Sequence, residues 1–121
     1  MRFLIVEDEW LIAGSIEQAL ISAGHGVVAT VGSVTKALAA IRASGFEAVV
    51  LDANLGDESA LPIADLLAAK GIPFVVVSGY AASQRPGRLG TAPFLRKPFH
   101  SHDLLKLSHS GALDGTWQNM S

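Results

Sequence analysis

No cysteine occurs among the 121 residues, which excludes a disulfide framework and any thiolate metal site and accords with a reducing compartment. A basic excess is missing too: nine lysines and arginines face eleven acids, for a net charge of −2, so no stripe of positive charge is present to neutralise nucleic-acid phosphates. Long apolar runs are also absent. The first, Phe3-Leu4-Ile5-Val6, breaks at Glu7-Asp8-Glu9, far short of a membrane span or a signal-peptide core. No internal repeat, linker or low-complexity tract appears. These absences, with half the residues hydrophobic and 17% charged, leave a soluble cytoplasmic globule without a direct nucleic-acid or membrane partner as the expectation. The length suits one domain over residues 1–121, with roughly the last ten residues as a tail.

What the chain does contain is an alternation of strand-length apolar segments with longer helical patterns, repeated about five times. Phe3–Val6 is the first strand, and Leu11, Ile12, Ser15, Ile16, Ala19 and Leu20 then recur at helical spacing before a stop near Gly24. Gly26–Val31 reads as the second strand. Ser33 is placed to cap the next helix, whose Ala37, Leu38 and Ile41 form a buried face before Gly45 closes it. Ala48-Val49-Val50-Leu51 is a third strand ending in Asp52. Leu61, Ala64, Leu67 and Ala68 line a third helix that stops at Gly71, Pro73 opens the strand Phe74–Val77, and Pro93–Arg96 supplies a short fifth. The pattern implies an α/β fold: a doubly wound, five-stranded parallel sheet with helices on both faces, since parallel strands need right-handed crossovers.

Acids at the ends of buried strands are costly, and in an open α/β sheet those ends are where ligand chemistry gathers. Glu7, Asp8, Asp52, Ser78 and Lys97 all fall at strand C-termini. Together they offer oxygen donors for a hard divalent cation such as Mg²⁺, a carboxylate nucleophile, a hydroxyl and an ammonium. That set suits phosphoryl transfer, which asks a protein for charge neutralisation and positioning more than for covalent chemistry.

Four segments in order carry a family resemblance: Val6-Glu7-Asp8-Glu9, Leu51-Asp52-Ala53-Asn54-Leu55, Val77-Ser78-Gly79 and Leu95-Arg96-Lys97-Pro98-Phe99. The chain resembles the CheY-like receiver domains of two-component response regulators over nearly its whole length. The resemblance implies a flavodoxin-like strand order 2-1-3-4-5 and Asp52 as phosphoacceptor from a histidine kinase or phosphotransfer protein. It implies Mg²⁺ held by Asp8, Asp52 and the Asn54 backbone carbonyl, with Glu7 acting through water and Lys97 pairing with the phosphoryl group. Ser78 and Phe94 would form the switch, Asn54 and Tyr80 would tune hydrolysis of the acyl phosphate, and the Lys97-Pro98 bond would be cis. On this reading the chain is not an enzyme beyond phosphotransfer to itself and its own dephosphorylation. The stretch from Asp52 to Ala60 and the ending Phe94–Phe99 also look similar to small receivers of alphaproteobacteria.

Plain roles stand beside these. An acid at a strand end can cap the following helix, Ser78 can satisfy a turn, and Phe94 can be core packing. Trp10 shields the pocket rim or packs at a helix start. The four histidines show no spacing that joins them to the carboxylates, and His100 and His102 fit a solvated helix start. Pro86, Gly87 and Gly90 argue against a regular fourth helix, leaving a short, frayed or looped segment that a phosphoryl group or partner would order. Ser108-His109-Ser110-Gly111 breaks the last helix, so that Leu113, Trp117 and Met120 fold back on the domain or dock on a partner, with a homodimer among the options. No DNA-binding module follows within the chain, and two readings stand: a native single-domain protein, as Met1 directly before the first strand suggests, or a receiver excised from a longer protein. The chain would act alone, by binding a downstream protein target or as a phosphate sink.

Two rival classes use the same architecture. A nucleotide-binding enzyme would carry G-x-G-x-x-G after the first strand, where Glu7-Asp8-Glu9 instead repels a pyrophosphate, and a haloacid dehalogenase-type phosphatase would carry D-x-D there. The other alternative is a phosphorylation-independent pseudo-receiver serving as a protein-interaction module.

Overall fold

Strand-length runs with a side-chain period of two become one parallel sheet in the computed structural model, which describes residues 1–79, 87, 89, 92–97 and 103. The elements are β1 (Arg2–Val6), α1 (Trp10–Ser22), β2 (Gly26–Val31), α2 (Val34–Ala43), β3 (Ala48–Asp52), β4 (Asn54–Leu55), β5 (Glu58–Ser59), α3 (Leu61–Ala69), β6 (Phe74–Ser78) and β7 (Phe94–Arg96). The main sheet has the order β2-β1-β3-β6-β7 and every pairing in it is parallel. Counting only its five strands, that is the expected 2-1-3-4-5 arrangement of a flavodoxin-like fold.

Alternation along the strands sorts the core into two layers. Leu4, Val6, Val49, Leu51 and Val76 face α2 and α3, through Ala37, Ile41, Ile63, Ala64 and Leu67. Phe3, Ile5, Ala48, Val50, Val75 and Val77 face α1, through Ala13, Ile16, Ala19 and Leu20. Strands β3 and β6 are buried at every residue, as strands covered by helices on both faces must be. Ser33 caps α2, its Oγ accepting from the Lys36 N–H at 3.2 Å.

Two helical stripes differ from the sequence expectation. In α1 the buried residues are Ala13, Ile16, Ala19 and Leu20, whereas Leu11 is 70% exposed and Ser15 also faces solvent. The small Ala13 lies under the helix because it lets α1 approach the sheet, and the 3.6-residue period then turns Leu11 outward. In α3, Ile63 is buried in place of Leu61 and Ala68, which are only partly covered. A two-stranded antiparallel ribbon, β4 with β5, was not foreseen. Its strands are too short for periodicity to reveal.

Gly87 and Leu89 are described, the former at φ +52° and the latter buried against the α2/α3 layer together with Ala92. The rest of the expected irregular fourth helix, the Lys97-Pro98 bond, Phe99, His100, His102, His109 and the tail with Leu113, Trp117 and Met120 lie outside the described residues.

Candidate functional site

Parallel pairing brings the C-terminal ends of β1, β3, β6 and β7 to one edge. The Glu7 N–H continues the β1–β2 ladder by donating to the Val31 carbonyl at 2.9 Å, so Glu7 is held beneath the surface before Asp8 emerges from it. Asp52 is the last residue of β3 and sits opposite Val77, and Ser78 ends β6 opposite Arg96 of β7. The Lys97 N–H donates to the Ser78 carbonyl at 2.7 Å, so the strand end itself aims the lysine at its neighbours. Glu7, Asp52 and Ser78 are the polar residues buried among the described positions.

Lys97 Nζ lies 3.0 Å from Glu7 Oε1, 3.2 Å from Asp52 Oδ2 and 3.9 Å from Glu9 Oε1. The Glu7 contact is an ion pair without hydrogen-bond alignment, while that to Asp52 is also a hydrogen bond. The other Asp52 oxygen, Oδ1, accepts from the Asn54 N–H at 3.1 Å, and Glu7 Oε2 accepts from the Glu9 N–H at 3.1 Å. Asp8 caps no helix: its Oδ2 accepts from the Gly56 N–H at 2.9 Å, across the mouth of the site.

Burial, followed by the hydrogen bond and the charge of Asp52, pushes the Glu7 carboxyl up to about 7, with the Glu9 N–H and Lys97 opposing. For Lys97, burial alone would depress the ammonium. The close Glu7 carboxylate and the charge of Asp52 outweigh it and hold the group above its ordinary 10.5.

Glu7, Asp8 and Asp52 each present an oxygen, and those oxygens lie within 4.8 Å of one another. Octahedral Mg²⁺, bound at about 2.1 Å, sets its ligand oxygens roughly 3 to 4 Å apart, within reach of small side-chain rotations. The charge balance fits as well. Three carboxylates meet one ammonium, and Glu7, kept from ionising chiefly by burial and then by Asp52, would be helped to ionise by a divalent cation.

Ser78 is thus joined to the carboxylate cluster through the backbone hydrogen bond from Lys97 on the adjacent strand, and Phe94 sits on β7 opposite Val76, 38% exposed. Tyr80 lies outside the described residues. Trp10 is 79% exposed and lines an open groove of about 310 Å³ with Glu7, Asp8, Gly14, Glu17, Thr30 and Gly32. Sequence reasoning missed the Gly56 contact. The signal was available: Gly56-Asp57 between two short segments is a two-residue hairpin turn.

A family model described as the response regulator receiver domain matches residues 3–109. The cell cycle response regulator CtrA of Brucella ovis is 30% identical over 116 residues, covering 91% of this chain and 49% of the relative. The chain therefore spans about half the length of the curated relatives it matches. Among solved structures, SdrG from Sphingomonas melonis Fr1 superposes with a TM-score of 0.81 at 39% identity, covering 93% of this chain and 95% of that one. A CheY-like receiver domain from Methylobacillus flagellatus gives 0.77 at 31% identity, with 91% and 97% covered.

Proposed function

Because the chain belongs to the response regulator receiver domain family, we propose that Asp52 accepts a phosphoryl group from the phosphohistidine of a histidine kinase or phosphotransfer protein. One observation carries this reading. Asp52 is buried at a strand end with both oxygens held, one by the Asn54 N–H and one by Lys97, beside two further carboxylates.

In the step, an Asp52 oxygen attacks phosphorus and the P–N bond breaks, its electron pair leaving with the imidazole, which is protonated on release. Asp8, Asp52 and the Asn54 carbonyl would hold Mg²⁺, with Glu7 acting through water. When bound, the ion would neutralise charge on the equatorial phosphoryl oxygens. Lys97 is freed from Asp52 as the carboxylate becomes an acyl phosphate, and it turns its ammonium to the phosphoryl group. Ser78 supplies a hydroxyl beside the new phosphate, and Phe94 is the ring whose position reports it. Asn54 and Tyr80 tune hydrolysis. The chain acts in the cytoplasm as one receiver unit and passes its state to a downstream protein, alone or as a homodimer, or drains a kinase as a phosphate sink.

Incubation with Mg²⁺ and acetyl phosphate, followed by intact mass measurement, tests the reading. One added phosphate that vanishes in Asp52→Ala supports it. An unchanged mass in the parent protein, with binding to its partner intact, would point to the pseudo-receiver instead.

A further inference from the structure

We infer that the β4–β5 ribbon is a latch that positions Asp8 for the cation, with the Gly56 N–H as the positioning group; this rests on the metal-binding role proposed for Asp8. The ribbon pairs Asn54 with Ser59 and Leu55 with Glu58, leaving Gly56 and Asp57 as the two turn residues. Gly56 has φ +63°, and Asp57 is not among the residues with positive φ. A glycine with positive φ at the first turn position is the mark of a type II′ hairpin. Such a turn is closed by the N–H of its fourth residue. The N–H of its second residue takes no part in the ladder and points away from it, and here it donates to Asp8 Oδ2 at 2.9 Å.

The tether matters because of where Asp8 stands. Glu7 and Asp52 are buried and fixed by their surroundings, whereas Asp8 is exposed at the mouth of the site. An exposed carboxylate samples several rotamers in water, and Mg²⁺ demands nearly ideal octahedral placement of its oxygens. A charge-assisted hydrogen bond from a rigid turn selects one rotamer before the ion arrives, and a carboxylate oxygen that accepts an N–H leaves the other oxygen for the metal. The same turn follows Asp52 by four residues and Asn54 by two, so a single short ribbon sets Asp8 against the other proposed ligands from 48 residues away in sequence. Glycine is favoured here by its positive φ alone, since a Cβ at Gly56 would meet no atom within 4 Å.

Magnesium chloride titrations of the full chain, followed by Trp10 fluorescence in a Trp117→Phe background, test the latch. Trp10 lines the groove that Asp8 borders and becomes the sole tryptophan. Gly56→Pro lacks the N–H and, with φ locked near about −65°, undoes the turn as well, so the latch is lost whole and Mg²⁺ binding is expected to weaken about 10- to 100-fold. Gly56→Asn tolerates positive φ and keeps the N–H, and should stay within about twofold of the parent. In parallel, Asp8→Ala should move the Gly56 amide proton resonance upfield and speed its exchange. Parental Mg²⁺ affinity in a folded Gly56→Pro protein would overturn the latch and leave the phosphoacceptor reading standing. If Gly56→Pro fails to fold, an Asp8→Ala spectrum with the Gly56 amide unmoved overturns it equally. No fluorescence or calorimetric response of the parent to Mg²⁺ would remove the metal reading itself, and the latch with it.

Discussion

Glu7 and Lys97 meet at 3.0 Å beneath the rim of the site, the Glu7 side chain fully covered and the Lys97 side chain only 19% exposed. Lys97 is shared with Asp52 at 3.2 Å, so one cation holds two acids that would otherwise repel at close range.

Without Mg²⁺, Lys97→Met should lose about 1–3 kcal/mol near neutral pH, because two buried carboxylates lose the ammonium they share and keep only one backbone N–H each. The loss should shrink on acidification as Glu7 takes a proton. Urea unfolding with and without magnesium chloride checks this, and the ion should restore more stability to the variant than to the parent. Equal magnesium responses would contradict the shared-cation account.

Glu7 makes cation binding depend on pH. Its carboxyl is raised from an ordinary 4.5 to about 7, so below that value a bound ion must displace a proton. Mg²⁺ affinity should rise up to about tenfold per pH unit toward neutrality and level off above it. Glu7→Gln should flatten that profile. The sign for folding is the reverse: the folded chain holds the proton more tightly than the unfolded one. That stabilisation is complete below about pH 4.5 and is lost as pH rises through about 7, whereas the Gln variant lacks the loss. Calorimetric titrations and melting curves across this window separate the two.

Ser44 ends α2 at φ 59° and ψ −161°, a region open mainly to glycine. Ser44→Gly should stabilise the protein by about 1 kcal/mol, the released strain exceeding the added freedom of the unfolded chain. A lowered urea midpoint would show the backbone to be unstrained there.

The outward turn of α1 distinguishes two leucine-like residues that sequence spacing treats alike. Ile16→Ala empties a buried position and should cost about 2–4 kcal/mol. Leu11→Ala, at an exposed position, should stay within about 0.5 kcal/mol. Similar losses for both would place Leu11 in the core.

Helix registers were the part of the fold least readable in advance. Leu11 and Leu61 are as hydrophobic as Ile16 and Ile63, and only the seating of each helix on the sheet decides which is covered. The strands were legible because Ala48–Leu51 and Phe74–Val77 are buried on both faces, leaving a continuous apolar signal that ends abruptly at Asp52 and Ser78. Four residues around Gly56 offered no such signal, because a two-residue strand has no period to read.

By itself, the sequence determined the alternating α/β order, the strand ends on which the acids, the hydroxyl and the lysine stand, and the kinds of donor the site can offer. Those follow from local rules: apolar runs, helix stops and the cost of an acid at a buried strand end. The tertiary structure alone decided the distances. It brought Lys97 to Glu7 and Asp52, so that burial and Asp52 raise the Glu7 carboxyl while the facing acids raise the ammonium against its own burial, and it carried Gly56 across to Asp8. Sheet order and a turn hold these pairs together from 45 to 90 positions apart in the chain, beyond the reach of any local pattern.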